Sequence, residues 1–371
     1  MGRDMDDRVL ATPDRFAWLF GGQEAPPEGS LSASTEFEEA CALLLDNWQV
    51  LPVTAPRLFG WAAPALRETA AARAVQDRTV SIEAFALVQL QVGARFTRAL
   101  CEAGVPYALL KGSAVRFTGY DDPAARCGHD IDIVTERQWL RRAEQVALAT
   151  GFVRAQWSGP EKRFVRADPV LRARVEAEHY ELGFLVRRNA VGGLNDDAKA
   201  AIRREIQCHH LWHEIGDGRI GCYVSTDIHH ALSLDLPADD MLATTRSVRA
   251  CGGQVKVPSP AWLACHLIFK IYWEGVHTYR KGLYQFADLQ RHVRTMSAAD
   301  FATLLHLLVR HRLEVAGYYV LRRLETDFGE TLPQLVTNFL DAQTFAPPGE
   351  EVDARALNDL GDMWPKLWGY R

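Results

Sequence analysis

The sequence predicts an α+β fold in which a mixed sheet lies between two helical segments of the chain. Short runs of alternating apolar and polar residues are concentrated between residues 105 and 235. Apolar residues at helical spacing dominate residues 35–104 and most of the chain beyond Pro237. Strands in the middle of a chain, with helices on both sides in sequence, are typical of an α+β or α/β arrangement.

The first two segments are a predicted lead-in, residues 1–34, and a predicted N-terminal helical region, residues 35–104. The lead-in is rich in Gly, Pro and acidic residues around GGQEAPPEGS, and we expect it to be partly ordered. Two segments of the helical region have helical spacing, and the second ends at Gly104 with Pro106 beyond it. The segment between them, LPVTAPRLFGWAAP, is interpreted as a loop.

Residues 105–235 are predicted to form the core that carries the sheet. Strands are predicted at residues 105–110 and 130–134, in FVRAQW and EHYELGFLVRR, and at residues 205–214 and 219–228. The last two are joined by Gly216-Asp217-Gly218, a turn signal suited to a hairpin. Helices are predicted over residues 113–120 and 138–150. Residues 236–371 are predicted to form a C-terminal helical domain.

Composition narrows the class of protein. The 371 residues predict about two domains, or one core with helical extensions. Hydrophobic residues make up 48% and charged residues 24%, which is ordinary for a globular protein in water. The net charge of −5 gives no general attraction to nucleic acid or to an anionic membrane. No apolar run approaches the roughly 20 residues of a membrane span, and the amino end lacks a signal-peptide core, so we expect a cytoplasmic protein.

The seven cysteines form no CxxC pair and no even framework. This usage predicts reduced, mostly buried thiols. One alternative is a zinc site built from neighbouring side chains, although their spacing matches no standard zinc module. The candidate zinc ligands are Cys208, His209, His210, His213 and Cys222.

Two aspartates separated by one residue are the central chemical feature of the chain. In DIDIV, Asp130 and Asp132 alternate with Ile131 and Ile133, so both carboxylates share one face of a strand. Two like charges held this close are costly unless a cation lies between them. Carboxylate oxygens favour a hard cation such as Mg²⁺, which itself favours phosphate oxygens. The pair therefore predicts phosphoryl or nucleotidyl transfer.

The turn Lys111-Gly112-Ser113 precedes this strand in the chain and is a candidate phosphate site. Glycine lets the backbone approach a phosphate, and the helix start that follows offers unpaired N–H groups. Lys111 is either a neutralising charge at that phosphate or a solvated turn charge.

A third carboxylate is expected on a neighbouring strand. Asp227, in STDIHHAL at the end of a predicted strand, is the best candidate, and Asp235 and Glu181 are the alternatives. His229 shares the face of Asp227 and is predicted either to orient a carboxylate or the acceptor, or to be hydrogen bonded at a strand end. Lys270, on a predicted helix, is a candidate contact to the acceptor or simply part of a polar helix face.

This ordered set resembles the uncharacterised nucleotidyltransferase family of bacteria, within the polymerase-β-like nucleotidyltransferase superfamily. The resemblance rests on LLKG, DIDIV, a Gly-aromatic pair at Gly151-Phe152 and a later strand that ends in Asp-hydrophobic-His. It covers residues 105–235 and extends more weakly into HLIFKIYWEGVH and LYQFADLQRHV. The fold it implies is a polymerase-β-like mixed sheet core with helical segments before and after it.

The resemblance also implies a reaction, transfer of NMP from an NTP with Mg²⁺ or Mn²⁺ and release of pyrophosphate. Gly112 and Ser113 match the family's phosphate-binding turn. Arg126 matches a basic residue that stands just before the acidic pair, and the resemblance implies that this basic residue binds nucleotide. Arg126 can instead pair with Asp121 or Asp122 as loop scaffolding. The residues that match the catalytic, metal-binding carboxylates are Asp130, Asp132 and Asp227.

The acceptor is expected to be a hydroxyl, phosphate or amine of a small molecule or a peptide. Relatives in the family are often encoded beside natural-product and peptide-modifying genes, which favours a peptide or metabolite. Two other functions remain open. One is a non-catalytic nucleotide-binding or regulatory module, and the other is a glycosyl or phosphoryl transferase that uses a nucleotide-linked donor.

Overall fold

The computed structural model describes residues 19–21, 31, 33–161, 163–206, 211–233, 236–250, 253–274 and 283–342. The chain divides into two compact units, each made of more than one segment. The first unit comprises Met1–Asn47, Arg57–Pro64 and Pro260–Arg371, and the second comprises Trp48–Pro56 and Ala65–Ser259. The division into four parts expected from the sequence stays a prediction.

Helices form the described part of the first unit. Two lie near the amino end, α1 (Ser34–Asp46) and α2 (Leu51–Trp61), and the first part of α2 belongs to the second unit. The other helices of this unit are α9 (Pro260–Trp273), α10 (Leu283–Val293), α11 (Ala298–Arg310), α12 (Glu314–Thr326) and α13 (Gln334–Ala342). Helix α11 has a full capping box, in which the side chains of Ser297 and Asp300 each accept from the other's backbone N–H.

A mixed sheet forms the centre of the second unit. Its seven strands are β1 (Ala108–Leu109), β2 (Asp130–Val134), β3 (Val153–Ser158), β4 (Arg163–Arg166), β5 (Glu181–Ala190), β6 (Trp212–Ile215) and β7 (Arg219–His229). The order is β1-β2-β7-β5-β3-β4, and β6 also pairs with β7. Strands β2 and β7 run parallel and the other pairs run antiparallel. The predicted α+β class is confirmed.

The second unit also contains, in the described chain, six complete α-helices, short 3₁₀ helices and a small hairpin. The helices are α3 (Ala70–Glu102), α4 (Lys111–Thr118), α5 (Leu140–Ala149), α6 (Pro169–Glu178), α7 (Asp196–Ile206) and α8 (Asp239–Leu242). The hairpin consists of β8 (Arg246–Ala250) and β9 (Gly253–Val257).

Helix α3 is the longest helix in the described part of the chain and supplies much of the core beneath the sheet. The Thr69 side chain caps its start by accepting the Ala72 N–H, and Gly104 follows its end with φ of +68°, a conformation that glycine adopts without strain. Phe85 and Phe96 on α3 are fully buried, and the Phe85 ring meets the edge of Trp212 on β6. Such burial is the main source of stability for the unit.

Two sequence expectations about elements are wrong. The expected loop at residues 51–64 contains α2, because Leu51, Ala55 and Leu58 bury an apolar face that offsets the backbone hydrogen bond lost at Pro56. The expected strand at residues 205–214 does not begin at residue 205, because residues 205–206 belong to α7, and β6 begins at Trp212. The described part of the region beyond Pro237 is mostly helical, as expected, and also contains the β8–β9 hairpin, which the sequence did not predict. No helix in the described ranges is long and apolar enough to cross a bilayer.

Candidate active site

Three acidic side chains from two neighbouring strands meet at one face of the sheet. The parallel register of β2 and β7 places Asp132 opposite Asp227, and Asp130 lies two residues before Asp132 on the same strand face. Carboxylate oxygens of all three residues lie within 4.8 Å of one another. The structure therefore brings together the three carboxylates that the sequence predicted to converge, although 95 residues separate Asp132 from Asp227.

Two of these carboxylates resist ionisation. Burial, followed by the charges of Asp132 and Asp227, raises the pKa of Asp130 well above its usual value. Burial, followed by the charges of Glu181 and Asp132, raises the pKa of Asp227. A divalent cation between the carboxylates removes this repulsion, and three carboxylate oxygens are the donors that Mg²⁺ and Mn²⁺ prefer. The donor set therefore fits such an ion.

Asp132 is held in its charged form by two basic side chains. Lys111 Nζ lies 2.5 Å from Asp132 Oδ1, and His229 Nε2 lies 3.1 Å from the same oxygen. Burial alone raises the pKa of Asp132, but the Lys111 ammonium and the His229 ring outweigh it and hold this pKa far below its usual value. Asp132 is only 4% exposed, so few water molecules compete with these two contacts.

His229 connects Asp132 to a fourth carboxylate. Its Nδ1 lies 3.5 Å from Glu181 Oε2, and the ring of Tyr180 stacks on the imidazole at a centroid distance of 5.6 Å. A histidine held at Nε2 by Asp132 and stacked on one face by Tyr180 orients the carboxylate that it contacts. The sequence left two roles open for His229: orienting a carboxylate or the acceptor, or making a hydrogen bond at a strand end. Glu181 entered as an alternative to Asp227, whereas the structure places both beside the same histidine.

The Lys111-Gly112-Ser113 turn opens α4 directly beside the carboxylates. Lys111 has a φ of +48°, which is rare for a residue with a side chain. Burial alone lowers the pKa of Lys111, but the Asp132 and Asp130 carboxylates raise it well above its usual value. The Ser113 hydroxyl accepts the Asp132 backbone N–H at 3.1 Å, which ties the start of α4 to β2.

Arg126 lies over Gly112. A Cβ atom on Gly112 would clash with the Arg126 guanidinium, so the missing side chain is what admits the arginine. Arg126 is buried. Of its two alternative partners, Asp122 instead caps a short 3₁₀ helix by accepting the Ala124 N–H. The close approach of Arg126 to Gly112 had no signal in the sequence.

Several of the remaining candidates belong to the first unit or lie outside the described residues. Lys270 is on α9 of the first unit and forms an ion pair with Glu274 at 2.9 Å, so its role toward an acceptor stays a prediction. Asp235 lies outside the described residues. Three of the five candidate zinc ligands also lie outside them, namely Cys208, His209 and His210. His213, a fourth, accepts a hydrogen bond from Arg188 Nε at 2.6 Å.

Fold and site together define a nucleotidyltransferase-like α+β protein with a triad of acidic side chains suited to a divalent ion. The model of the uncharacterised nucleotidyltransferase family matches residues 44–329, which is most of the chain. The chain therefore belongs to the uncharacterised nucleotidyltransferase family, as the sequence motifs predicted. No curated protein matches the sequence.

Proposed function

We propose that the protein transfers NMP from an NTP to a hydroxyl, phosphate or amine of a small molecule or peptide, with Mg²⁺ or Mn²⁺ and with release of pyrophosphate. The observation that supports this proposal most is the convergence of Asp130, Asp132 and Asp227 beside the start of α4. We place the reaction in the cytoplasm and expect neither nucleic acid nor a membrane as partner.

Asp130, Asp132 and Asp227 are the residues that would hold the metal. A bound divalent ion stabilises the charge that develops on a transferring phosphoryl group. The chain's own part is to keep the three carboxylates in place. Lys111 and His229 hold Asp132, and the Ser113 hydroxyl fixes the backbone of β2 at the same residue.

The start of α4 receives the β and γ phosphates of the NTP. The first N–H groups of a helix lack partners within the helix and point toward a bound anion. Gly112 admits the Arg126 guanidinium to the turn, and Lys111 and Arg126 together place positive charge where the phosphates bind.

The chemical step is an in-line displacement at the α-phosphorus. The acceptor oxygen or nitrogen forms the new bond to phosphorus as the bond to the bridging oxygen of the β-phosphate breaks. Pyrophosphate leaves with the electron pair of that bond, and the proton of the acceptor passes to water.

The first test is Asp132→Asn, which keeps the size of the side chain and removes its charge. Pyrophosphate release from labelled NTP, measured with a panel of hydroxyl and amine acceptors and Mg²⁺, should fall at least 100-fold. Asp196→Asn, at a carboxylate that is 99% exposed on α7, is the matched control and should keep full turnover. Turnover in Asp132→Asn close to that of the unmodified protein would contradict the proposal.

Calorimetry and thermal stabilisation, together with the pyrophosphate assay, distinguish the two alternative functions from the proposed one. A non-catalytic nucleotide-binding module would bind NTP in calorimetry and release no pyrophosphate with any acceptor. A glycosyl or phosphoryl transferase would be stabilised against heat by nucleotide sugars, or by another nucleotide-linked donor, more than by the four NTPs with Mg²⁺.

A further inference from the structure

A cavity of about 340 Å³ opens on one side of the acidic triad, and of the three aspartates only Asp227 lines it. Its other walls come from β3, β4, α6 and β5. Glu181 lies at the same end as Asp227. Gly183 also lines the cavity, and a Cβ there would stand 4.0 Å from Asp227 Oδ1. This position therefore lies next to the Asp227 carboxylate and places no side chain beside it.

Two aromatic rings form the wall farther along the β3–β4 hairpin. Trp157 and Phe164 face each other across the hairpin and meet edge to face at a centroid distance of 5.3 Å. Trp157 is 39% exposed, which is unusual for so large an apolar side chain, and Phe164 is held from behind by Tyr223 at 4.8 Å. Such an exposed ring with a fixed neighbour is suited to stacking against a flat group.

The charged side chains in the described lining of the cavity are all acidic. Its described lining contains the carboxylates of Asp227 and Glu181 and contains no lysine or arginine. The other polar side chains there belong to Gln156, His179 and Ser225. Among the described lining residues, a carboxylate or phosphate brought into this cavity would face two acidic groups and no lysine or arginine. The basic turn at Lys111, by contrast, lies at the carboxylate of Asp132, which is not part of the lining.

We propose that this cavity binds the acceptor, and that the acceptor is a neutral or cationic molecule, or peptide side chain, with a flat apolar group. The inference rests on the nucleotidyl transfer proposed above and narrows its acceptor class to hydroxyls and amines, excluding phosphates. The flat group lies against Trp157, and the reacting hydroxyl or amine lies at the Asp227 end of the cavity, where its proton passes to water as the new bond to the α-phosphorus forms.

Binding of four small probes to the full-length protein, measured by calorimetry without nucleotide, tests the charge and shape of the acceptor. Tyramine is a cationic ring, N-acetyltyramine a neutral ring, 3-(4-hydroxyphenyl)propionate an anionic ring, and ethanolamine a cation without a ring. We expect tyramine and N-acetyltyramine each to bind at least ten-fold more tightly than 3-(4-hydroxyphenyl)propionate or ethanolamine.

Three variants locate the binding. Trp157→Ala should weaken tyramine and N-acetyltyramine about equally, by ten-fold or more. Glu181→Gln should weaken tyramine and leave N-acetyltyramine within two-fold. Val170→Ala, at an apolar side chain that is 77% exposed and outside the cavity, is the control and should change neither.

The outcomes separate this inference from the proposed reaction. The inference is overturned if the anionic probe binds as tightly as tyramine, if no probe binds, or if ATP with Mg²⁺ displaces the probes and so shows that the cavity takes the nucleoside. Any of these results with intact metal-dependent NTP binding and pyrophosphate release leaves the proposed reaction standing. If the probes bind in the expected order of affinity but the protein binds no NTP, both the proposed reaction and the role of the cavity as an acceptor site are overturned. The cavity would then be only a binding site for small aromatic molecules.

Discussion

Asp130 illustrates how a single residue can serve a site at the expense of the fold. Its raised pKa means that the folded protein disfavours the charged form that an unfolded aspartate adopts at neutral pH. A carboxyl whose pKa is raised on folding costs no stability below its unfolded pKa of 3.8. The cost begins as the pH rises above 3.8 and is complete above the folded pKa.

Asp130→Asn should therefore stabilise the protein in EDTA at pH 7.5 by about 1 kcal/mol or more. The gain should shrink as the pH is lowered, because the carboxyl of the unmodified protein then becomes protonated. Adding Mg²⁺ should raise the melting temperature of the unmodified protein and not that of the variant. Thermal unfolding followed by circular dichroism measures both effects. A variant that melts at or below the unmodified protein in EDTA would show that the triad carries no such repulsion.

Gly112 is a residue whose role becomes clear only from the structure. In Gly112→Ala the new methyl group must displace the end of the Arg126 side chain, which can move without breaking the fold. We expect the KM for NTP to rise about ten-fold, because the displaced guanidinium loses roughly one charged hydrogen bond to phosphate. The melting temperature should fall only slightly. Gly93→Ala is the control, since its methyl group meets only Ile131 Cδ1 at an ordinary 3.5 Å.

The sequence predicted individual side chains unevenly. Alternation on DIDIV was enough to place Asp130 and Asp132 on one face, because a strand fixes the direction of every second side chain. The contact from His229 to Asp132 depends on the pairing of two strands distant in the chain, and no local pattern specifies that register.

At the scale of elements, the strands that carry the site were predicted best. β2 has the predicted bounds, and β7 extends the predicted strand by one residue, because both alternate regularly in sequence. α2 was missed because its prolines suggested a loop, while tertiary packing outweighs their cost. The β8–β9 hairpin was missed because its strands have five residues each and stand next to strongly helical sequence.

The β5–β6–β7 region contains a histidine whose protonation weakens the fold. His213 on β6 accepts the Arg188 N–H and stacks on Tyr223 at a centroid distance of 4.1 Å. Burial, followed by the positive charge of Arg188, lowers the pKa of His213 from 6.5 to about 4. Because the folded pKa lies below the unfolded one, the stability linked to neutral His213 is complete above pH 6.5 and is lost as the pH falls toward 4.

His213→Gln keeps an acceptor for Arg188 and cannot be protonated. Between pH 6.5 and pH 4 we expect the unmodified protein to lose about 1 kcal/mol more stability than this variant, after allowance for the half-exposed ring. Urea unfolding at a series of pH values measures the difference. His306→Gln, at an exposed position on α11, should follow the unmodified protein. Parallel pH profiles for His213→Gln and the unmodified protein would refute the expectation.

At the scale of the whole molecule, the first unit is assembled from both ends of the chain. Within it, Arg294 donates to the Gly21 carbonyl at 3.4 Å, and the Tyr284 N–H donates to Asn47 Oδ1 at 3.3 Å. Phe37 and Leu44 on α1 are fully buried. A cut after Ser259 therefore separates groups that one compact unit holds together.

Residues 1–259 expressed alone should consequently be poorly soluble or aggregated, because the apolar face of α1 loses its cover. Co-expression of residues 260–371 should restore a soluble complex that co-purifies. Sedimentation velocity and the melting temperature of each preparation measure this. A monomeric 1–259 fragment that melts at the temperature of the intact chain would show that residues 260–371 are dispensable for the stability of the rest.

The parallel pairing of β2 with β7 has a consequence for biosynthesis. The ribosome releases β2 long before β7, and the intervening strands and helices must emerge before the two can pair. A nascent chain that stops short of β7 carries two of its aspartates with no third, and closing so long a loop is slow. The three-carboxylate site is thus incomplete in the growing polypeptide until translation has passed β7.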